Sequence, residues 1–173
     1  MERPHETFGI RQAMITVNDR DAFLRKIQEI ARLYSTHIVC FDAEKLAGRD
    51  HAEAALQHAK RSFFSERSIS NSFEMEALLF AAGSRQCQEA ALFGIQEGEN
   101  RTFVCSYPVN EDVWKDLSPH MQFVNEIWDE MTPDKEARLM ILFSVTREEL
   151  AVVGRKRLKD LLLERIALLS VNR

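Results

Sequence analysis

The spacing of apolar and polar positions changes several times along the chain, and each change predicts an element. Residues 8–17, Phe-Gly-Ile-Arg-Gln-Ala-Met-Ile-Thr-Val, partly alternate and are rich in strand formers, which predicts an opening strand. From Asp21 to Tyr34 the period becomes helical. Phe23, Ile27, Ile30, Ala31 and Tyr34 recur on one face, while Arg25, Lys26, Glu29 and Arg32 occupy the others. Thr36 to Phe41 is short and strongly apolar, as in a strand buried within a sheet. The opening residues therefore read as β-α-β, with the two strands as parallel neighbours.

Helical spacing returns from Asp50 to Phe64 through Ala54, Ala55, Leu56 and Ala59, then gives way to a basic stretch, Lys60-Arg61-Ser-Phe-Phe-Ser-Glu66-Arg67. A loop is expected at Ser68 to Ser70. Asn71 is then placed to cap a helix, with Glu74 as its reciprocal partner. That helix, from Phe73 to Ala82, is apolar around most of its circumference and should be central and buried. Gly83 is suited to end it in the left-handed conformation, and Ser84 to cap a short helix running towards Gly94. Residues 101–107 predict another strand, closed by Pro108. The fold class expected is mixed α/β, of the α+β kind. It comprises a small central sheet with several packed helices and a helix-rich C-terminal half, in one domain spanning 1–173.

Composition narrows the function classes. The 173 residues hold six Gly and four Pro, too few for low-complexity or collagen-like architecture. No apolar run approaches the length of a membrane helix, and Met-Glu-Arg-Pro-His-Glu at the start lacks a signal-peptide core, so a cytoplasmic protein with no membrane partner is expected. The formal charge of −4 argues against an indiscriminate nucleic-acid binder. Yet the average hides an asymmetry. Residues 110–136 carry eight carboxylates against two lysines, whereas 155–165 carry five cations against two acids.

Candidate chemistry is sparse. Cys40, Cys87 and Cys105 fit neither a disulfide framework nor a metal knuckle. Cys40 and Cys105 sit in apolar runs and are expected as small buried hydrophobes; a thiol nucleophile at Cys87 is the alternative. His51 and His58 share a helix face, read as solvated, with zinc binding the weaker alternative. No Walker loop, nucleophile elbow or convincing carboxylate pair is present, and neither an enzyme nor a cofactor is expected.

Two features ask for a partner. Arg85-Gln86 falls in the expected first turn of a helix, where the macrodipole opposes a cation. Either Glu89 pairs with it at i,i+4, or the helix start and Arg85 hold an anion together. In the last helix, Leu158, Leu161, Leu162, Leu163, Ile166, Leu168 and Leu169 spread over roughly 220°, interrupted by Lys159 and Arg165. Either the helix sinks between others, or the surplus meets a second protein at Leu158, Leu162, Arg165, Ile166 and Leu169.

The run Ser70-Asn71-Ser72-Phe73-Glu74-Met75-Glu76-Ala77-Leu78-Leu79-Phe80-Ala81-Ala82-Gly83-Ser84-Arg85-Gln86 resembles the central signature of the TPRKB family, the PRPK-binding subunit of the KEOPS complex. The likeness continues through Cys87 to Gly98 and into the closing Leu158 to Leu169, with a longer basic loop between Lys60 and Asn71. The resemblance implies a non-catalytic subunit of the assembly that makes threonylcarbamoyladenosine on tRNA. Such a subunit binds the small atypical kinase/ATPase (PRPK-type) of the complex and, in archaeal-type members, the 3′ CCA end of tRNA. A single-stranded RNA end is held by a few cations on phosphates and by bases stacked on flat side chains, which a mildly acidic protein can supply locally. Lys60, Arg61, Arg67 and Arg85 would supply the cations, Asn71 or Gln86 would read base or ribose edges, and Phe63 or Phe64 would stack. The alternative is an interaction module that regulates the kinase without binding RNA.

Overall fold

The computed structural model describes residues 8–154 and 157–171. Strand β1 (Gly9–Val17) leads into α1 (Arg20–Leu33), which starts where the Asp19 carboxylate accepts the Ala22 N–H at 3.0 Å. Helix α1 buries Ile27, Ile30 and Ala31, the face its spacing predicts, and β2 (His37–Asp42) follows. The two strands are not parallel neighbours. Strand β3 (Gly98–Tyr107) lies between them, antiparallel to both, and the short β4 (Gln122–Val124) completes the order β2-β3-β1-β4. The crossover through α1 leaves one strand width open, and β3 fills it to give a split β-α-β. Its register sets Gly9 opposite Ser106 and Val39 opposite Cys105.

The described residues fall into two compact units, each assembled from two stretches of chain. The first takes the residues up to Asp42 with Gly94–Glu126, and holds the sheet, α1 and α5 (Val113–Leu117). Ala13, Ile15, Ile38, Cys40 and Val104 from the sheet pack with Ile27, Ile30, Val113, Trp114 and Leu117 in its core. Cys40 and Cys105 are buried, as expected, and burial pushes the Cys40 thiol up to about 12.

The second unit, Ala43–Phe93 with the residues from Ile127 onward, is helical. It contains α2 (Arg49–Phe63), α3 (Phe73–Ala82), α4 (Cys87–Ala91), α6 (Pro133–Leu142), α7 (Arg147–Val153) and α8 (Leu158–Leu168). Helix α2 has no side-chain cap of its own; the Asp129 carboxylate accepts the Arg49 N–H at 2.7 Å. A Cβ on Gly48, whose φ is +152°, would come within 2.5 Å of that carboxylate, so only glycine leaves room for it. Helix α3 is central and buried as its composition predicts, with Phe73, Ala77, Leu79, Phe80 and Ala81 at most 1% exposed.

His51 departs from expectation. It lies in the core of this unit, fully buried, where Nδ1 accepts the Ala47 N–H at 3.0 Å and Nε2 donates to the Ala81 carbonyl at 2.9 Å. Both ring nitrogens are used, so the face it shares with His58 is not a solvated one. No helix among the described residues is long and apolar enough to cross a membrane.

Candidate functional site

The basic stretch begins on the last turn of α2, where Lys60 is half-buried and Arg61 exposed. The Arg61 guanidinium lies 3.4 Å from His58 Nδ1, and the His58 ring stacks on Phe80 with centroids 5.3 Å apart. Burial, and then the Arg61 charge, lower the His58 pKa from its ordinary value. Beyond the helix Phe64 is 58% exposed. Its ring stands edge-on to Phe63 at 5.2 Å and tilted to the fully buried Phe73 at 6.2 Å. An outward-facing aromatic is thus braced from behind by two others.

Arg67 and Asn71 are exposed on the loop that follows. Asn71 does not cap α3. Ser72 does, its hydroxyl accepting the Met75 N–H at 3.1 Å. The shift of one residue is explained by Glu76, a fully buried carboxylate that sequence reasoning passed over. It accepts the Ile69 N–H at 2.9 Å, the Ser70 N–H at 3.1 Å and the Ser62 hydroxyl at 2.9 Å. This pulls the loop onto α3 and leaves Ser72, not Asn71, at the helix start. The signal available was a second acid, set between Met75 and Ala77 in a helix that is otherwise apolar apart from Glu74.

At the far end of α3, Gly83 takes φ +63° and ψ +32°, as expected. The Ser84 N–H reaches back to the Leu79 carbonyl at 3.1 Å in the manner of a Schellman turn. Arg85 and Gln86 are exposed but do not lie in a first helical turn, because α4 starts only at Cys87 and Gln86 is its N-cap residue. Ser84 lies two residues before the N-cap Gln86 and does not cap α4; its hydroxyl instead accepts the Gln86 N–H at 3.0 Å and donates to Glu89. Arg85 reaches across to the Leu169 carbonyl at 3.4 Å. The anticipated conflict with a helix dipole is therefore absent at Arg85.

Helix α8 corrects the choice of docking residues. Leu158, Leu162, Ile166 and Leu169 are 8% exposed or less and belong to the core of their own unit. Arg165 is partly buried and donates to the Phe143 carbonyl and the Glu149 carboxylate. What α8 presents outward is Leu168, 45% exposed, and the half-buried Leu161 and Leu163. Leu161, Arg165 and Leu168 line one side of a cleft of about 700 Å³, with Gly83 and Arg85 on the other.

The candidate residues thus form two groups. Lys60, Arg61, Phe64, Arg67 and Asn71 precede α3 in sequence, and Arg85 and Gln86 follow it. Among the described residues no cluster of three or more His, Cys, Asp or Glu side chains is arranged to hold a metal ion. No protein-family model matches the chain, and no curated protein matches it significantly.

Proposed function

We propose that this protein is a non-catalytic, cytoplasmic subunit that binds the 3′ CCA end of tRNA and docks a small kinase/ATPase of the PRPK type, as in the KEOPS complex. The observation that carries the RNA half is Phe64. A chain of formal charge −4 exposes an aromatic ring, braced by Phe63 and Phe73, in the same short stretch as Lys60, Arg61 and Arg67. Stacking plus a few cations is how single-stranded ends are held, and it needs no basic protein. The resemblance of Ser70 to Gln86 to the TPRKB signature supplies the identity of the RNA and the partner. The exposed edge of α8, Leu161 and Leu168, is the surface offered to the kinase lobe.

A filter-binding titration of intact tRNA against tRNA lacking its terminal CCA tests the RNA half. Tighter binding of intact tRNA, weakened in a salt-dependent way by Arg85→Glu or by Arg61→Glu with Arg67→Glu, is expected. Equal affinities would sink tail recognition. Co-purification with a co-expressed kinase subunit tests the other half.

One observation favours a second reading. Arg85 lies in the α8 cleft and bonds Leu169. A pure interaction module would use Arg85 for its protein partner, and its tRNA affinity at physiological salt would be negligible.

A further inference from the structure

We infer that Glu76 is the positioning residue of the RNA-binding loop: its buried carboxylate presets residues 64–72 before any ligand arrives. The inference rests on the RNA-end reading for its functional half and on the hydrogen bonds alone for its structural half. A carboxylate that is fully buried costs free energy unless its lone pairs are filled. Here they are filled almost entirely by the loop. Oε1 accepts from Ile69 N–H at 2.9 Å, Ser70 N–H at 3.1 Å and Ser70 Oγ at 3.3 Å; Oε2 accepts from Ser62 Oγ at 2.9 Å.

Helix α3 does not need this acid. Its N-terminus is capped by Ser72, and the position faces a core in which an apolar side chain would pack without desolvation cost. The carboxylate stands in for the backbone acceptors that an irregular segment otherwise lacks, and it anchors the loop from inside. Two further features show that the loop is held in one shape. Glu66 adopts φ +61°, a left-handed conformation that a non-glycine residue keeps only when its surroundings impose it. Ser62 Oγ, on the last turn of α2, also lies 3.2 Å from the Arg67 carbonyl, so the anchor reaches the backbone of the exposed cation itself.

Arg67 and Asn71 are therefore presented from a fixed backbone while their side chains face solvent. Binding an RNA end then orders side chains only, and the ordering cost of the loop is not charged to affinity.

Amide hydrogen exchange on the full chain, without RNA, is the direct test. The Ile69 and Ser70 amides are expected to be strongly protected in the wild type, and exchange at open-chain rates would overturn the inference whether or not any variant folds. Glu76→Leu, which removes both acceptors while filling the apolar position, should lose that protection and bind CCA-ended tRNA about tenfold more weakly, with kinase co-purification unchanged. Ser62→Ala, which leaves the carboxylate on both amides, should keep the protection and bind within about twofold of wild type. Loss of protection in Glu76→Leu with tRNA affinity intact overturns the positioning role. Protected wild-type amides in a protein that binds no tRNA would instead remove the RNA reading and leave the loop anchor standing.

Discussion

The Nε2–H of His51 donates to the carbonyl of Ala81 at 2.9 Å, tying the first turn of α2 to the last turn of α3. Nδ1 is occupied as acceptor, so the folded protein keeps this ring neutral, and burial lowers its pKa to about 4.

A pH dependence of stability follows. Unfolded, the ring takes up a proton near its ordinary pKa of 6.5; folded, it does so only near 4. Its contribution is complete above pH 6.5 and is lost as the pH falls towards 4, a span of about 3 kcal/mol. Urea midpoints at several pH values should show this slope in the wild type and a shallower one in His51→Gln. Identical slopes would remove the role assigned to His51.

The reassigned cap is checked by a pair of substitutions. Ser72→Ala should cost about 1 kcal/mol, while Asn71→Ala should change stability by about 0.5 kcal/mol or less. The reverse order would restore Asn71 as the cap.

Helix α8 offers a sharper contrast. Leu162 is fully buried, and Leu162→Ala should destabilise by about 2–5 kcal/mol. Leu168→Glu, at a position 45% exposed, should leave the fold near wild-type stability yet abolish co-purification with the kinase subunit. Circular dichroism alongside the pull-down separates the two effects. A folded Leu168→Glu that still binds would move the docking surface elsewhere.

Phe64→Ala should weaken tRNA binding by about 5- to 150-fold, the value of one stacked base. Thermal midpoints should fall far less than in Phe73→Ala, because Phe73 is fully buried and Phe64 is 58% exposed. A Phe64→Ala protein with unchanged affinity would take the ring out of the site.

Local elements were legible because periodicity is local. Strand β1, helix α1 and β2 stand within a residue or two of where the spacing places them. The position of β3 between β1 and β2 was not, since neighbours in a sheet are chosen by the whole fold. The Asn71/Ser72 ambiguity has a different source. Both residues are good caps, and the tether to Glu76 decides between them. Periodicity also shows which face of α8 is apolar without showing how much of it the domain itself covers, which is why Leu162 and Ile166 read as docking residues. Lys135 shows a similar gap for charge: one of the two lysines counted in the acidic stretch 110–136, it is 7% exposed and donates to the Trp128 carbonyl at 2.7 Å.

The insertion of β3 between β1 and β2 has a consequence for how the chain acquires its shape. Ile15 and Asn100 are paired in the sheet yet stand 85 residues apart in sequence. On the ribosome, β1, α1 and β2 emerge as two strands that have no neighbour to bond until β3 is made, while α2, α3 and α4 are already complete. Such long-range closure is slow compared with helix formation. Helices α2, α3 and α4 can therefore form before the sheet, and the unpaired edges of β1 and β2 are the segments most exposed to aggregation during synthesis.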